Sequence, residues 1–273
     1  MITILRTEFF RLKKSKLFWA LLIVTAVVPL ISALISLGVN YLAADFVLPD
    51  DYEIDSLWEL IRSSDMFGQG MSSMTGIMGD CALFSVITTS IFLSKEFSGG
   101  TFRNMLLANK SRRDLYLSYL TIAIVIGAIF LGTEFVSTFI FWSAIFGFGG
   151  LSAGTVISAC FVTLLMGLVS TIFVQTLMCM FMFCTRKMAV AIICPIVIAM
   201  IAPSFVISFV ETFAMLGLAT EADLSWVPLY NSTILSVTNI DGALVGKILM
   251  YNIPLSVFFG FMGWVTFRKA DLK

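Results

Sequence analysis

The chain has 273 residues, 59% of them hydrophobic and only 12% charged, with 17 basic and 17 acidic side chains and no histidine. Soluble domains carry about 25% charged residues, so a water-soluble globular class is excluded. The lack of histidine removes His-ligated metal centres, Ser–His nucleophiles and haem ligation by His. Cys81, Cys160, Cys179, Cys184 and Cys194 lie in or beside apolar stretches, form no C-x-x-C pair and read as small buried hydrophobes.

In chain order, residues 1–16 read as an amphipathic interfacial helix. Ile2, Leu5, Phe9 and Leu12 share one face, and Arg6, Lys13 and Lys14 lie away from it, toward lipid phosphates. Residues 17–39 carry no charge and form the first predicted span, since a crossing needs about 20 apolar residues. The stretch is too long for a signal-peptide core and lacks a small-residue cleavage site after it. Segment 40–75 is an acidic outer loop with a short helix begun by Ser56 and Glu59 in a capping box. Further spans are predicted at 76–93, 115–148, 155–184, 188–210 and 248–267. The third and fourth exceed the length a crossing needs and should tilt or protrude. Pro29, Pro195 and Pro203 interrupt spans, and Gly127, Gly132 and Gly147 permit close approach or a bend. Segment 211–243 mixes Phe213, Trp226 and Tyr230 with Gly217, Pro228 and Asn231, which fits a re-entrant pair of outer helices.

All the Lys and Arg except Arg62 and Lys247 fall on one side of this six-span arrangement. The positive-inside rule then places both termini in the cytoplasm. The fold class is an all-α polytopic membrane protein, one permease-like domain over 1–273.

The loop 94–114 is the most informative cytoplasmic piece. Gly99 and Gly100 break the second helix, Phe102, Met105 and Leu106 share a face of a short helix, and Ser111 with Asp114 makes a capping-box-like start for the third span. With Glu96, Gly100-Thr101, Leu106-Leu107 and Ser111-Arg112, this loop resembles that of type 2 ATP-binding-cassette exporter permeases. The chain departs from the family at Asn109-Lys110, where a Pro is frequent, and at Tyr119, where a Lys is common.

The resemblance implies that residues 1–16 and this loop dock a separate ATPase, the loop helix sitting in a groove of that partner as a coupling helix. Glu96 would make a polar contact there, with Gly100, Thr101, Phe102, Leu106 and Ser111 shaping the loop. Arg103, Arg112 and Arg113 are the candidates for pairing with ATPase carboxylates, on charge grounds; the alternative is that these charges only set orientation. Two ATPase copies, a second permease copy, membrane lipids, and ATP with Mg on the partner follow from the family. So does a short bacterial peptide-export or immunity type in the plasma membrane. No cofactor, metal or nucleic acid is expected on this chain.

Within the bilayer, Glu134 is a pathway group or a hydrogen-bond anchor between helices, with Gln175 a possible partner and Asp80 near an outer helix end. No GxxxxGK[S/T] occurs, because Gly242…Gly246-Lys247 has the wrong spacing and is followed by Ile248. ATP-driven transport would therefore need a partner ATPase. The function read here is export of a hydrophobic or amphipathic substrate, a peptide ranked first, by a non-catalytic subunit. The alternative is a stand-alone channel or a sensory module. An intramembrane protease lacks both HExxH and a second deep carboxylate.

Overall fold

The computed structural model describes residues 2–47, 66–67, 70, 80–99, 111–148, 151–215 and 242–269. Among these residues the chain is helical, with short turns and no strand. The predicted loop helix within 100–110, the surface helix after Ser56 and the re-entrant segment beyond Met215 lie outside the described residues.

Helix α1 spans Ile2–Lys13 and α2 spans Lys16–Val47. The turn between them is fixed by the Trp19 indole N–H, which donates to the Lys13 carbonyl at 2.8 Å. α2 runs past the predicted end at Val39, because residues 40–47 contain no Gly or Pro to stop it. α3 spans Asp80–Ser98 and ends where the Gly99 N–H takes the Lys95 carbonyl at 2.9 Å.

α4, Arg112–Phe146, starts at the predicted cap: the Ser111 hydroxyl accepts from the Asp114 N–H at 3.0 Å. It ends at Gly147, whose φ of 69° suits glycine. α5 spans Ala153–Thr185, begins at Ser152 and stops at Arg186 in the left-handed region. At about 1.5 Å per residue α4 and α5 are each roughly 50 Å long, well beyond a hydrocarbon core of about 30 Å.

The predicted fifth span is not one regular helix. α6 spans Met188–Ile196, a π-helical turn covers Val197–Ile201, and α7 spans Ala202–Met215. Pro195 has no N–H to give the Ala191 carbonyl, and the Ser90 hydroxyl of α3 donates to that carbonyl instead, at 3.4 Å. The last helix, α8, spans Gly242–Lys269 and continues through Pro254.

Among the described residues four helical stretches are long and apolar enough to cross a membrane: Lys16–Leu42, Arg112–Phe146, Ala153–Thr185 and Val245–Lys269. α3 differs because Ser85, Thr88, Thr89, Ser90 and Glu96 dilute its hydropathy, and all five are buried.

α5 lies at the centre, packed on α8, α4, α6 and α3, and α2 packs on α4. α4 and α5 touch closely at Gly127, where a Cβ would lie 2.3 Å from Thr171 Cγ2. Gly132, predicted to do the same, faces open space. The start of α4 and the ends of α3, α5 and α8 gather at one end of the bundle, with α1 against them. Among the described basic residues only Lys247 lies on a segment remote from this basic end.

Candidate functional site

The basic end carries the two roots of the 100–110 segment, and both are anchored. The first root is the end of α3. Glu96 is 1% exposed, and its carboxylate is ion-paired with the Arg11 guanidinium of α1. Beyond that pair neither carboxylate oxygen has a hydrogen-bond partner among the described residues. Arg11 also meets Glu8, one helical turn earlier, with Nη1 3.3 Å from both carboxylate oxygens. Glu8 is fully buried and receives a hydrogen bond from the Tyr119 hydroxyl of α4. Two carboxylates, one guanidinium and one phenol thus join α1, α3 and α4.

The charge balance of this cluster is uneven. Burial and the neighbouring Glu96 push the Glu8 carboxyl above its ordinary value, although Arg11 pulls the other way. Burial works against the charged form of Arg11, but the two carboxylates outweigh it and hold the guanidinium protonated. One guanidinium, that of Arg11, thus serves both acids.

The second root is the start of α4. Ser111 caps it, and the Arg112 Nη1 donates to the Arg268 carbonyl of α8 at 2.9 Å. Between the roots lies an aromatic cluster. Phe97 of α3 and Tyr116 of α4 both pack on Phe183 of α5, with ring centroids at 5.5 and 5.1 Å, and Phe183 packs on Phe267 of α8 at 4.8 Å. The Tyr116 hydroxyl donates to the Gly260 carbonyl at 2.7 Å. A cleft of about 380 Å³ opens beside Glu96, lined by Arg11, Lys14, Lys16, Phe92 and Lys95 among others.

The structure relocates several sequence-based expectations. The inward face of α1 is the half-buried Leu5 with the buried Glu8 and Leu12, whereas Phe9 is 38% exposed. Glu96 makes its ion pair inside the chain and offers almost no surface to a docked partner. Arg112 is spent in part on α8, and Arg113 is exposed. Gly100, Thr101, Phe102, Arg103 and Leu106 lie outside the described residues.

Among the intramembrane candidates, Glu134 is buried and its Oε2 accepts from the Cys81 N–H at 2.8 Å, at the first turn of α3. A helix N-terminus offers a carboxylate free N–H donors and a favourable dipole. Gln175 does not pair with Glu134; its amide donates to the Ser85 hydroxyl at 2.9 Å. Asp80 is the first residue of α3.

Glu8, Arg11, Tyr116, Phe183 and Phe267 were not singled out in the sequence. The available signal was the Leu5, Glu8, Leu12 spacing, which places an acid on an apolar face. Among the described residues no cluster of three or more His, Cys, Asp or Glu could hold a metal ion.

The family model for ABC-2 family transporter proteins matches residues 4–203, which includes α1, α3, α4 and α5 and hence the ionic cluster and both roots. This chain belongs to the ABC-2 transporter family. It is accordingly a multi-pass membrane component of a transporter. No curated protein and no solved structure matches the chain.

Proposed function

We propose that this ABC-2 protein is the permease subunit of an ATP-driven exporter whose ATPase is a separate chain, with the basic end in the cytoplasm. The observation that carries this reading is the double anchorage of the 100–110 segment. One root is ion-paired to α1 and the other is bonded to α8, so a pull on the segment is transmitted to α1, α3, α4 and α8 together. The basic cleft beside Glu96 suits an acidic side chain of the ATPase. Glu96 then acts as a positioning residue through Arg11.

Parity supports six crossings. α2 and α4 both start at the basic end, so α3 is the return between them. α5 and α8 both end there, so α6 and α7 provide the return between those two. The positive-inside rule puts both termini in the cytoplasm. Two permeases would enclose the pathway and two ATPases, holding ATP and Mg, would drive alternating access. The substrate is a hydrophobic or amphipathic peptide, and the setting is a bacterial plasma membrane.

The test is co-purification of the tagged permease in mild detergent with an ATP-binding protein from its own cell. The Arg112→Ala, Arg113→Ala variant is expected to lose the ATPase. Arg11→Met is expected to keep part of the binding but to uncouple ATP hydrolysis from transport. A well-folded permease that arrives without any ATPase, and passes current or signals without ATP, would favour the channel or sensor reading.

A further inference from the structure

A second cleft lies on the opposite side of the α4 start from the ionic cluster. Its volume is about 530 Å³, within the roughly 300–1,000 Å³ range of small-molecule sites. Leu117 and Leu120 of α4 form one wall, Val257, Phe261 and Trp264 of α8 the other, and Ile172 of α5 lies between. The cleft opens through an exposed apolar rim, since Val257 is 66% and Phe261 57% exposed. Both walls belong to helices long and apolar enough to cross a bilayer, which suits an opening toward acyl chains.

The polar groups of the lining are already used. The Tyr116 hydroxyl donates to the Gly260 carbonyl at 2.7 Å, the Thr176 hydroxyl to the Phe173 carbonyl at 2.8 Å, and the Ser256 hydroxyl to the Asn252 carbonyl at 2.8 Å. The body of the cleft therefore offers hydrocarbon and asks for hydrocarbon.

Its mouth at the basic end is different. Arg113 lines it and is exposed. Arg268 stacks over the Trp264 ring at 5.7 Å, and its carbonyl holds Arg112. Lys269 follows Arg268 in the chain, and Asp114 follows Arg113. Trp264 sits where an amphipathic ring marks the membrane interface.

We propose that this cleft binds an anionic phospholipid of the leaflet at the basic end, with one acyl chain between α4, α5 and α8 and the phosphate at Arg113 and Arg268. The charge complementarity at the mouth singles out an anionic headgroup over a zwitterionic one. The site requires only that α4 and α8 cross a bilayer; it shares Arg113 with the proposed ATPase surface, so lipid retention is read on the permease without its ATPase.

The test is native mass spectrometry of the full-length protein in mild detergent, equilibrated with equal phosphatidylglycerol and phosphatidylcholine of matched chains. The wild type is expected to retain one phosphatidylglycerol per permease, with roughly tenfold preference. Outside its own helix, the nearest atom to a Cβ at Gly260 is Thr176 Cγ2, at 3.9 Å, so Gly260→Leu starts without a clash and its outer carbons enter the cleft. It should lose both lipids. Arg113→Gln with Arg268→Gln should keep lipid but lose the preference; the Arg268 carbonyl that holds Arg112 remains. Val257→Trp, at an exposed position, fills the cleft independently should Gly260→Leu fail to fold. Retention of phosphatidylglycerol at wild-type level by a folded cleft-filling variant would overturn the proposal, as would unchanged preference in the double Gln variant. A lipid-free dimer that dissociates when the cleft is filled would assign the surface to a second copy instead.

Discussion

α3 meets a buried carboxylate at each end, and the two are held in different ways. At the basic end its own Glu96 meets a guanidinium from another helix. At the far end Glu134 of α4 meets the backbone N–H of Cys81 in the first turn of α3. A cation can be removed by one substitution, leaving two acids stranded, whereas a helix N-terminus is there as long as the helix is. The basic end is therefore sensitive to charge, and the far end to hydrogen-bonding capacity.

The largest effect should come from Arg11→Met. A fully buried ion pair loses about 3–5 kcal/mol when one partner is removed. Arg11 keeps its outer face in water, so about 2–3 kcal/mol is expected, read as a fall in the thermal unfolding midpoint in detergent. Adding Glu96→Gln should recover much of that loss. A double variant as unstable as the two single effects summed would show that the pair is not coupled.

At the far end, Glu134→Gln keeps an acceptor for the Cys81 N–H and should cost under about 1 kcal/mol. Glu134→Leu removes that acceptor and should cost more, about 1–3 kcal/mol. Transport by Glu134→Gln at the wild-type rate across pH would assign the carboxylate to helix anchoring. A pH-dependent loss of rate with stability unchanged would make it a pathway group.

A smaller effect comes from Glu8. Its carboxyl is raised in the folded chain, so the folded state binds more protons than the unfolded one just above the ordinary carboxylate value. The stability this group contributes is complete below that value and is lost as pH rises through the raised one. The stability of wild type relative to Glu8→Gln should therefore fall as pH rises through that window. A flat difference would mean that Glu8 is not the strained acid of the cluster. Smallest of all, Gln175→Leu should change stability by about 1 kcal/mol or less. Its Oε1 lacks a partner among the described residues, and its loss leaves the Ser85 hydroxyl still bonded to the Ala82 carbonyl.

Much of the site could be read from the chain and some of it could not. The Ser111 cap was legible because capping depends on residues three apart, and the end of α3 because Gly99 and Gly100 punctuate it. Glu96 was legible as important but not in what it touches, since Arg11 is 85 positions away in sequence and nothing local specifies that meeting. Glu8 was not legible, because an acid on a basic helix reads as surface until its neighbour is known. The interruption of the fifth predicted span was legible from Pro195, but the form it takes depends on a hydroxyl from α3.

The sequence by itself determined the membrane class, the helical content and the gathering of basic residues. These follow from hydropathy, from backbone groups that must bond internally in lipid, and from the placement of charges along the chain. Only the tertiary structure decided that α3 is held by side-chain bonds to α1, α4, α5 and α6. Such bonds join residues far apart in the chain, and whether a polar side chain in a membrane helix meets a partner depends on the packing of its neighbours.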